Sequence, residues 1–270
     1  MTDNKPHQSL NDRIDTTVPH NARVWNYFLG GKDNFAADRA AAEQYRAIFP
    51  DIVDIARADR TFLSRAVTYM VEEAGIRQFL DIGTGLPTLD NTHEVAQRLA
   101  PEARVVYVDN DPLVLVHARA LLVGSPAGAT DYIEADLREP DNILRAAART
   151  LDLTRPIAIM LLGILHFIGD HEQPHRIVNH LLDAVPSGSH MALTHATREL
   201  GGQANTEAQQ FWNDNATVPI TARTRQEITT FFDHLEILEP GVVPLGRWRP
   251  DTTTTTPVEV AGYCGVGRKP

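Results

Sequence analysis

Two apolar runs that each end in an acid constrain this chain more than any other feature. Gln78-Phe-Leu-Asp-Ile-Gly-Thr-Gly-Leu-Pro87 passes through Asp81 into a G-x-G pair, Gly83 and Gly85, and Arg104-Val-Val-Tyr-Val-Asp109 closes on a second acid. Short apolar runs bounded by turn residues read as buried strands of a parallel sheet. Glycine tolerates positive φ and has no Cβ, so backbone at 83 and 85 can approach a ligand closely. A carboxylate at 109 offers two acceptor oxygens where a ribose presents two hydroxyl donors. Taken singly, each piece has a blander explanation, since strand-to-helix turns favour glycine and strand ends favour aspartate. Together and in this order they point to a nucleotide-type ligand.

What the motif lacks separates the ligand classes. A dinucleotide site carries a third glycine, G-x-G-x-x-G, and turns a helix N-terminus toward a pyrophosphate. Here position 88 is Thr, and Pro87 intervenes. The next helix start is Asn91-Thr-His-Glu94, an N-cap with a carboxylate three residues on. No basic residue lies between Leu80 and Arg98 to meet a phosphate. A cofactor with ribose, adenine and an amino-acid tail fits better than a phosphate-bearing one, which disfavours a nicotinamide-dependent oxidoreductase.

At 270 residues and 43% hydrophobic content, the chain can build the core of one large α/β domain. It has no apolar run long enough to span a membrane. The N-terminus, Met1-Thr-Asp-Asn-Lys-Pro-His-Gln, lacks a signal core, and the single Cys264 excludes an internal disulfide. The cytoplasm is the expected location. A formal charge of −10 with dispersed arginine argues against nucleic-acid binding.

Residues 1–18 read as a disordered tail, and 252–256 as a low-complexity threonine run ended by Pro257. Residues 19–74 form a helical cap, with helices over 22–29, 36–48 and 60–74, the last stopped by Gly75. From 75 to 270, strands near 78–82, 104–109, 131–135, 157–162 and 190–195 alternate with helices near 91–99, 112–122, 141–149 and 173–185. Asp111-Pro112 fixes the start of the second of these helices as N-cap and first helical residue. Such alternation means a parallel, doubly wound sheet with ligands at the carboxyl ends of its strands. Residues 197–222, with Gly201-Gly202 and Pro219, read as an irregular insertion. Thr224-Arg-Gln-Glu227 opens a helix to about Phe232. A strand over 235–238 and another over 258–266 then suit an antiparallel closing hairpin.

Asp81-Ile-Gly-Thr-Gly85, Val108-Asp109, Glu134-Ala-Asp-Leu137 and the apolar strand leading into Leu165-His166 resemble, in order, the motifs of class I S-adenosylmethionine-dependent methyltransferases over residues 60–267. The segment Ala22-Arg-Val-Trp-Asn-Tyr-Phe-Leu-Gly-Gly-Lys-Asp-Asn-Phe-Ala-Ala-Asp-Arg39, with 79–88, resembles more narrowly an actinobacterial methyltransferase family of undefined substrate. That similarity covers nearly the whole chain. The resemblance implies an α/β fold with a doubly wound, mostly parallel seven-stranded sheet, an antiparallel closing hairpin and an N-terminal helical cap. It implies S-adenosyl-L-methionine as cofactor and methyl transfer to an O, N or C atom of a small-molecule acceptor. Asp81, Gly83 and Gly85 would then lie beside the amino-acid tail and ribose, Asp109 on the ribose hydroxyls with Asn110 beside it, and Asp136 with Leu137 along the adenine. Leu86-Pro87 departs from the family, where a further glycine is common. A non-catalytic S-adenosylmethionine-binding protein is a rival reading.

Gly30-Gly-Lys-Asp-Asn34 supports two readings. Gly30-Gly31 stops a helix and Asp33 or Asn34 caps the next; alternatively, the segment folds over the cofactor, bringing Gly31, Lys32 and Asn34 to it. In that second reading Lys32 meets a carboxylate, Tyr27 a hydroxyl or amine, and Trp25 stacks on substrate. His166 follows the fourth strand, where the transferable methyl should lie, and is the first candidate base. His195 is the second. Either could equally be a histidine that only orders its loop. His171, His175 and His180 read as solvated, and without an acid or cysteine cluster they suggest no metal.

Overall fold

The computed structural model describes residues 14–121, 124–250 and 259–270. The expected tail over 1–13 and the threonine run at 252–256 lie outside the described residues. Residues 14 and 15, assigned on sequence to the tail, contact the body: Ile14 packs against Leu86, Leu113 and Val114, and the Asp15 carbonyl accepts from Arg23.

Three helices open the described chain: α1 (Asn21–Phe28), α2 (Ala36–Ile48) and α3 (Ile52–Glu72). The third begins well before residue 60, because Ile52, Ile55 and Ala56 extend the apolar stripe that continues through Phe62, Leu63, Ala66, Val67 and Met70. Gly75 ends it at φ +69. The cap of α2 differs from both expected residues. Phe35 is the N-cap, and the fully buried Asp38 reaches back to the Phe35 amide at 2.8 Å and also to the His20 amide at 2.9 Å. A carboxylate inside the first turn thus does what Asp33 or Asn34 was expected to do.

The chain then alternates: β1 (Gln78–Ile82), α4 (Thr92–Leu99), β2 (Arg104–Asp109), α5 (Pro112–Leu121), β3 (Ala129–Glu134), α6 (Pro140–Ala147), β4 (Ala158–Leu162), α7 (Pro174–Asp183) and β5 (His190–Ala196). The insertion is not irregular. It contains α8 (Gly202–Asn215), fourteen residues whose Ala208 and Trp212 pack into the core, with the Trp212 ring 6.1 Å from that of Tyr45 on α2. Gly201 and Gly202, at φ +81 and +60, make the sharp entry to this helix rather than a break. After it come α9 (Arg225–Thr229), continued by a 3-10 turn over Thr230–Phe232, then β6 (Glu236–Ile237), β7 (Val243–Pro244) and β8 (Gly262–Arg268).

The sheet runs β3-β2-β1-β4-β5-β8-β6, with β7 pairing β8 off this path. The seven strands on the path match the expected sheet, and the two-residue β7 makes an eighth. β1 to β5 are mutually parallel, and β8 runs antiparallel beside β5 with His195 opposite Tyr263. Side chains alternate between two cores. Phe79, Val105, Tyr107 and Met160 face the layer with α1 to α4, whereas Leu80, Ile82, Val106 and Val108 face α6, α7 and α9. Burial of both faces is why these strands are continuously apolar. The strand order reverses between β1 and β4, so the crevice for a ligand opens there. Among the described residues no helix is long and apolar enough to cross a membrane.

Candidate active site

The turns after β1 and β2 are tied together by backbone. The amides of Gly83 and Thr84 both donate to the Val108 carbonyl, at 2.8 and 3.2 Å. The Gly85 amide donates to Asp109 Oδ2 at 2.8 Å, and the Asp111 amide to Asp109 Oδ1 at 2.9 Å. Gly83 and Gly85 have φ +75 and +66. At 83 a Cβ would fall 2.6 Å from Ile164 on the loop after β4, whereas at 85 the space is open. The first glycine lets two loops close on each other, and the second leaves room for a ligand. Asp109 is buried, which pushes its carboxyl up, while the Asp111 and Gly85 amides pull it down. Both its oxygens already accept an amide, yet each retains a lone pair for a hydroxyl.

Asp81 is buried at the end of β1, and burial raises its pKa to about 6 against the pull of the Thr92 hydroxyl, which donates to Oδ2 at 2.6 Å. Asn110 donates to Asp136 Oδ2 at 3.1 Å, and the Arg138 amide to Asp136 Oδ1 at 2.9 Å, so these loop ends form one rim above the buried Leu137. The structure brings Asp81, Gly83, Gly85, Asp109, Asn110, Asp136 and Leu137 to a single cavity of about 220 Å³, together with His166 and His195.

It does not bring Gly31, Lys32 or Asn34 there. Asn34 spends its amide on Asn26 Oδ1 and the Gly31 carbonyl, at 2.9 and 3.0 Å, Lys32 is exposed, and Gly31 packs against the Asn26 side chain. Tyr27 likewise turns away, to Glu43. The turn is a local device, and the cavity is instead covered by α1, through His20, Trp25, Asn26 and Phe28, and by α8, through Asn205, Gln209 and Trp212. Arg60 of α3 supplies the cation that the 80–98 segment lacks. Its Nη2 donates to the Leu89 and Asp90 carbonyls at 3.1 and 2.8 Å, and its Nε is buried with no partner among the described residues.

The two histidines divide in role. His195 Nδ1 donates to the Ala196 carbonyl at 2.7 Å and Nε2 accepts from Arg223 at 2.8 Å, which leaves no nitrogen to take a proton from a substrate. The second candidate base therefore has a structural duty at the end of β5. Arg223, itself buried, also donates to the Leu165 and Ile168 carbonyls and to Asp170, and so fixes the loop after β4. His166 receives the Ala196 amide at Nδ1 over 3.5 Å, which puts its proton on Nε2. Burial holds both rings neutral, aided by Arg223, with His195 pushed down to about 3 and His166 well below the ordinary value.

The sign of the linkage follows. In the unfolded chain a histidine titrates near 6.5, so these two contribute stability that is complete above that pH and lost as pH falls toward 3. Asp81 acts oppositely: its contribution is complete below 3.8 and lost as pH rises through 6. The ring resonances of His166 and His195 in the folded protein are expected to stay unchanged from pH 8 to 5. A midpoint near 6.5 for either, followed by NMR, would contradict the burial argument.

Comparison with known proteins decides the family. The chain matches the S-adenosyl methyltransferase family over residues 7–270. It belongs to that family. A DUF574 family protein from Streptomyces avermitilis is 43% identical, superposes with a TM-score of 0.91, and covers 95% of this chain and 99% of its own. A candidate methyltransferase from Thermobifida fusca is also 43% identical, with a TM-score of 0.85 and coverage of 94% and 96%. Both come from actinobacteria, in line with the resemblance carried by residues 22–39. A methyltransferase from Anabaena variabilis, 12% identical with a TM-score of 0.51 over 95% and 98%, shares the fold alone. No curated protein matches. This S-adenosyl methyltransferase is an enzyme whose cofactor is S-adenosylmethionine, which sets aside the nicotinamide reading. Among the described residues no group of three His, Cys, Asp or Glu is arranged to hold a metal.

Proposed function

We propose that this methyltransferase passes a methyl group to an O, N or C atom of a small molecule enclosed beneath α1 and α8, in a site shared by the cap over 19–74 and the body over 75–270. One observation carries the reading. The carboxyl ends of β1, β2, β4 and β5 open into one cavity that is also lined by residues of α1 and α8. A pocket so covered suits an acceptor that is itself swallowed, more than a residue on a protein surface.

The residues fit the cofactor. Asp109 takes the ribose hydroxyls while holding the Gly85 turn in place, Asp136 with Leu137 borders the adenine, and Asn110 closes that rim. Asp81 stands by the amino-acid tail. The unpartnered Nε of Arg60 is a donor with no other use, suited to the carboxylate of that tail. When bound, the cofactor supplies a methyl carbon made electrophilic by its sulfonium. The chain's task is alignment and exclusion of water, which can provide much of the catalysis. His166 presents Nε2–H toward the reaction and orients the acceptor by hydrogen bonding; proton removal through it requires exchange of its tautomer.

Incubation of the metal-free protein with S-adenosylmethionine and an acceptor collection, read by mass spectrometry for gain of one methyl group with release of S-adenosylhomocysteine, tests the reaction. Failure of S-adenosylmethionine to bind by calorimetry would sink the reading. Arg60→Ala is expected to weaken S-adenosylmethionine about ten- to a hundredfold, as for loss of a charge-assisted hydrogen bond. It should hardly change affinity for methylthioadenosine, which has no carboxylate. Equal losses for both ligands would instead show that Arg60 acts only by holding the Leu89–Asp90 carbonyls.

A further inference from the structure

The cavity holds a second set of groups to which the cofactor reading assigns no role. Asp59 of α3 is buried and faces the same cavity. Burial pushes its carboxyl up, and the Thr194 hydroxyl, near the end of β5, pulls it down as a hydrogen-bond donor. That hydroxyl accepts the Gly163 amide at 2.8 Å, which leaves its hydrogen free to donate to Asp59. No Lys or Arg among the described residues forms an ion pair with Asp59, since its neighbour Arg60 reaches instead for the Leu89 and Asp90 carbonyls. A buried carboxylate with one neutral donor is costly unless a cation or further donors complete it.

The surroundings of Asp59 select the partner. Trp25, Tyr45 and Trp212 line the same cavity, Tyr45 and Trp212 edge to face. Gln209 spends both amide hydrogens, on the Thr197 carbonyl and on Asn205 Oδ1, and therefore offers only its carbonyl oxygen. The wall is aromatic and rich in acceptors, a setting for a donor-bearing or cationic group on a flat apolar body. Asp59 and Asp81 share the cavity closely enough that the charge of one acts on the other, and the Asp59 variant below separates the acceptor's nitrogen from the cofactor's ammonium.

We infer that the methyl acceptor is an amine carried on a flat aromatic body, seated against Trp25, Tyr45 and Trp212 with its nitrogen on Asp59. This rests on the methyltransferase reading and narrows its acceptor to nitrogen. The ammonium form of the amine gives a proton to the Asp59 carboxylate. The freed lone pair then forms the N–C bond to the methyl carbon as the S–C bond breaks and leaves its electron pair on sulfur. The products are an N-methylammonium ion and a neutral thioether, and Asp59 returns its proton to water.

Tryptamine, tryptophol and indole-3-acetate hold one indole body and differ in the group presented. Calorimetry against the full chain saturated with S-adenosylhomocysteine should rank the amine at least about tenfold tighter than the alcohol, with the carboxylate weakest. Asp59→Asn should reduce the preference for tryptamine over tryptophol to about twofold or less, while affinity for S-adenosylmethionine alone stays within about twofold. Should the alcohol or the acid bind wild-type protein as tightly as the amine, or none of the three bind, the inference falls; this ranking needs no variant to fold. A large loss of S-adenosylmethionine affinity in Asp59→Asn, with the amine preference intact, overturns it by assigning Asp59 to the cofactor. If S-adenosylhomocysteine does not bind wild-type protein, the methyltransferase site itself fails, a result distinct from loss of amine preference in a protein that still binds it.

Discussion

Arg23→Ala is expected to detach α1 and raise the dissociation constant for S-adenosylmethionine on the order of a hundred- to a thousandfold. Arg23 forks onto Asp111, with Nε 2.9 Å from Oδ2 and Nη2 3.1 Å from Oδ1, and Asp111 is fully buried at the start of α5. His20 adds a contact to Oδ2 at 3.2 Å. Breaking a buried pair from one side leaves an uncompensated charge and costs about 3–5 kcal/mol, which at about 1.4 kcal/mol per tenfold sets the size of the effect. The penalty need not unfold the sheet. Release of a short helix that covers a cavity is a cheaper local opening, and α1 is the element that would move. Arg23→Lys keeps the charge without the fork and should fall between the two. Calorimetry with thermal melting on the same variants decides. Unchanged affinity beside a lowered melting temperature would make α1 a structural helix and not a cover.

Asp109→Ala should lose both affinity and stability. From the sequence alone, loss of affinity with little change in folding is the expectation, because a carboxylate on a ribose has no structural duty. The structure adds one: Asp109 also satisfies the Gly85 and Asp111 amides. Leaving buried donors without an acceptor costs about 1–3 kcal/mol each, comparable to the roughly 1.5–3 kcal/mol lost with charge-assisted bonds to the ribose. Asp109→Asn is not a mild replacement, because its NH2 would confront one of these two amides. Urea denaturation of the ligand-free variant together with calorimetry separates the two losses. Stability equal to wild type would show the amides to be satisfied otherwise.

The roof of the cavity shows how differently the parts of this site could be read in advance. Residues 30–34 look made for a ligand because they combine glycines, a lysine and amides, yet the same residue types also build turns, and the Asn34 amide closes one on Asn26. Gly201-Gly202 looks like the break in an irregular loop, yet it is the entry to the helix that brings Asn205, Gln209 and Trp212 over the pocket. In both places short-range composition allowed two outcomes, and packing chose.

The sequence by itself determined the strands β1 to β5, the glycine turns at 83 and 85, the cap of α4 by Asn91 and Glu94, the cap of α9 by Thr224 and Glu227, and the acids at 81, 109 and 136. Each is written within a few residues, since strand periodicity, positive φ and capping are local properties of the chain. Only the tertiary structure decided that Arg60 and Asp59 reach the same cavity, that Arg223 takes the lone pair of His195, and that Arg23 finds Asp111 across 88 residues. An isolated arginine or aspartate carries no mark of its partner. Partner choice is made by desolvation when the sheet and its covering helices close, because only then does a charge without a counterpart become expensive.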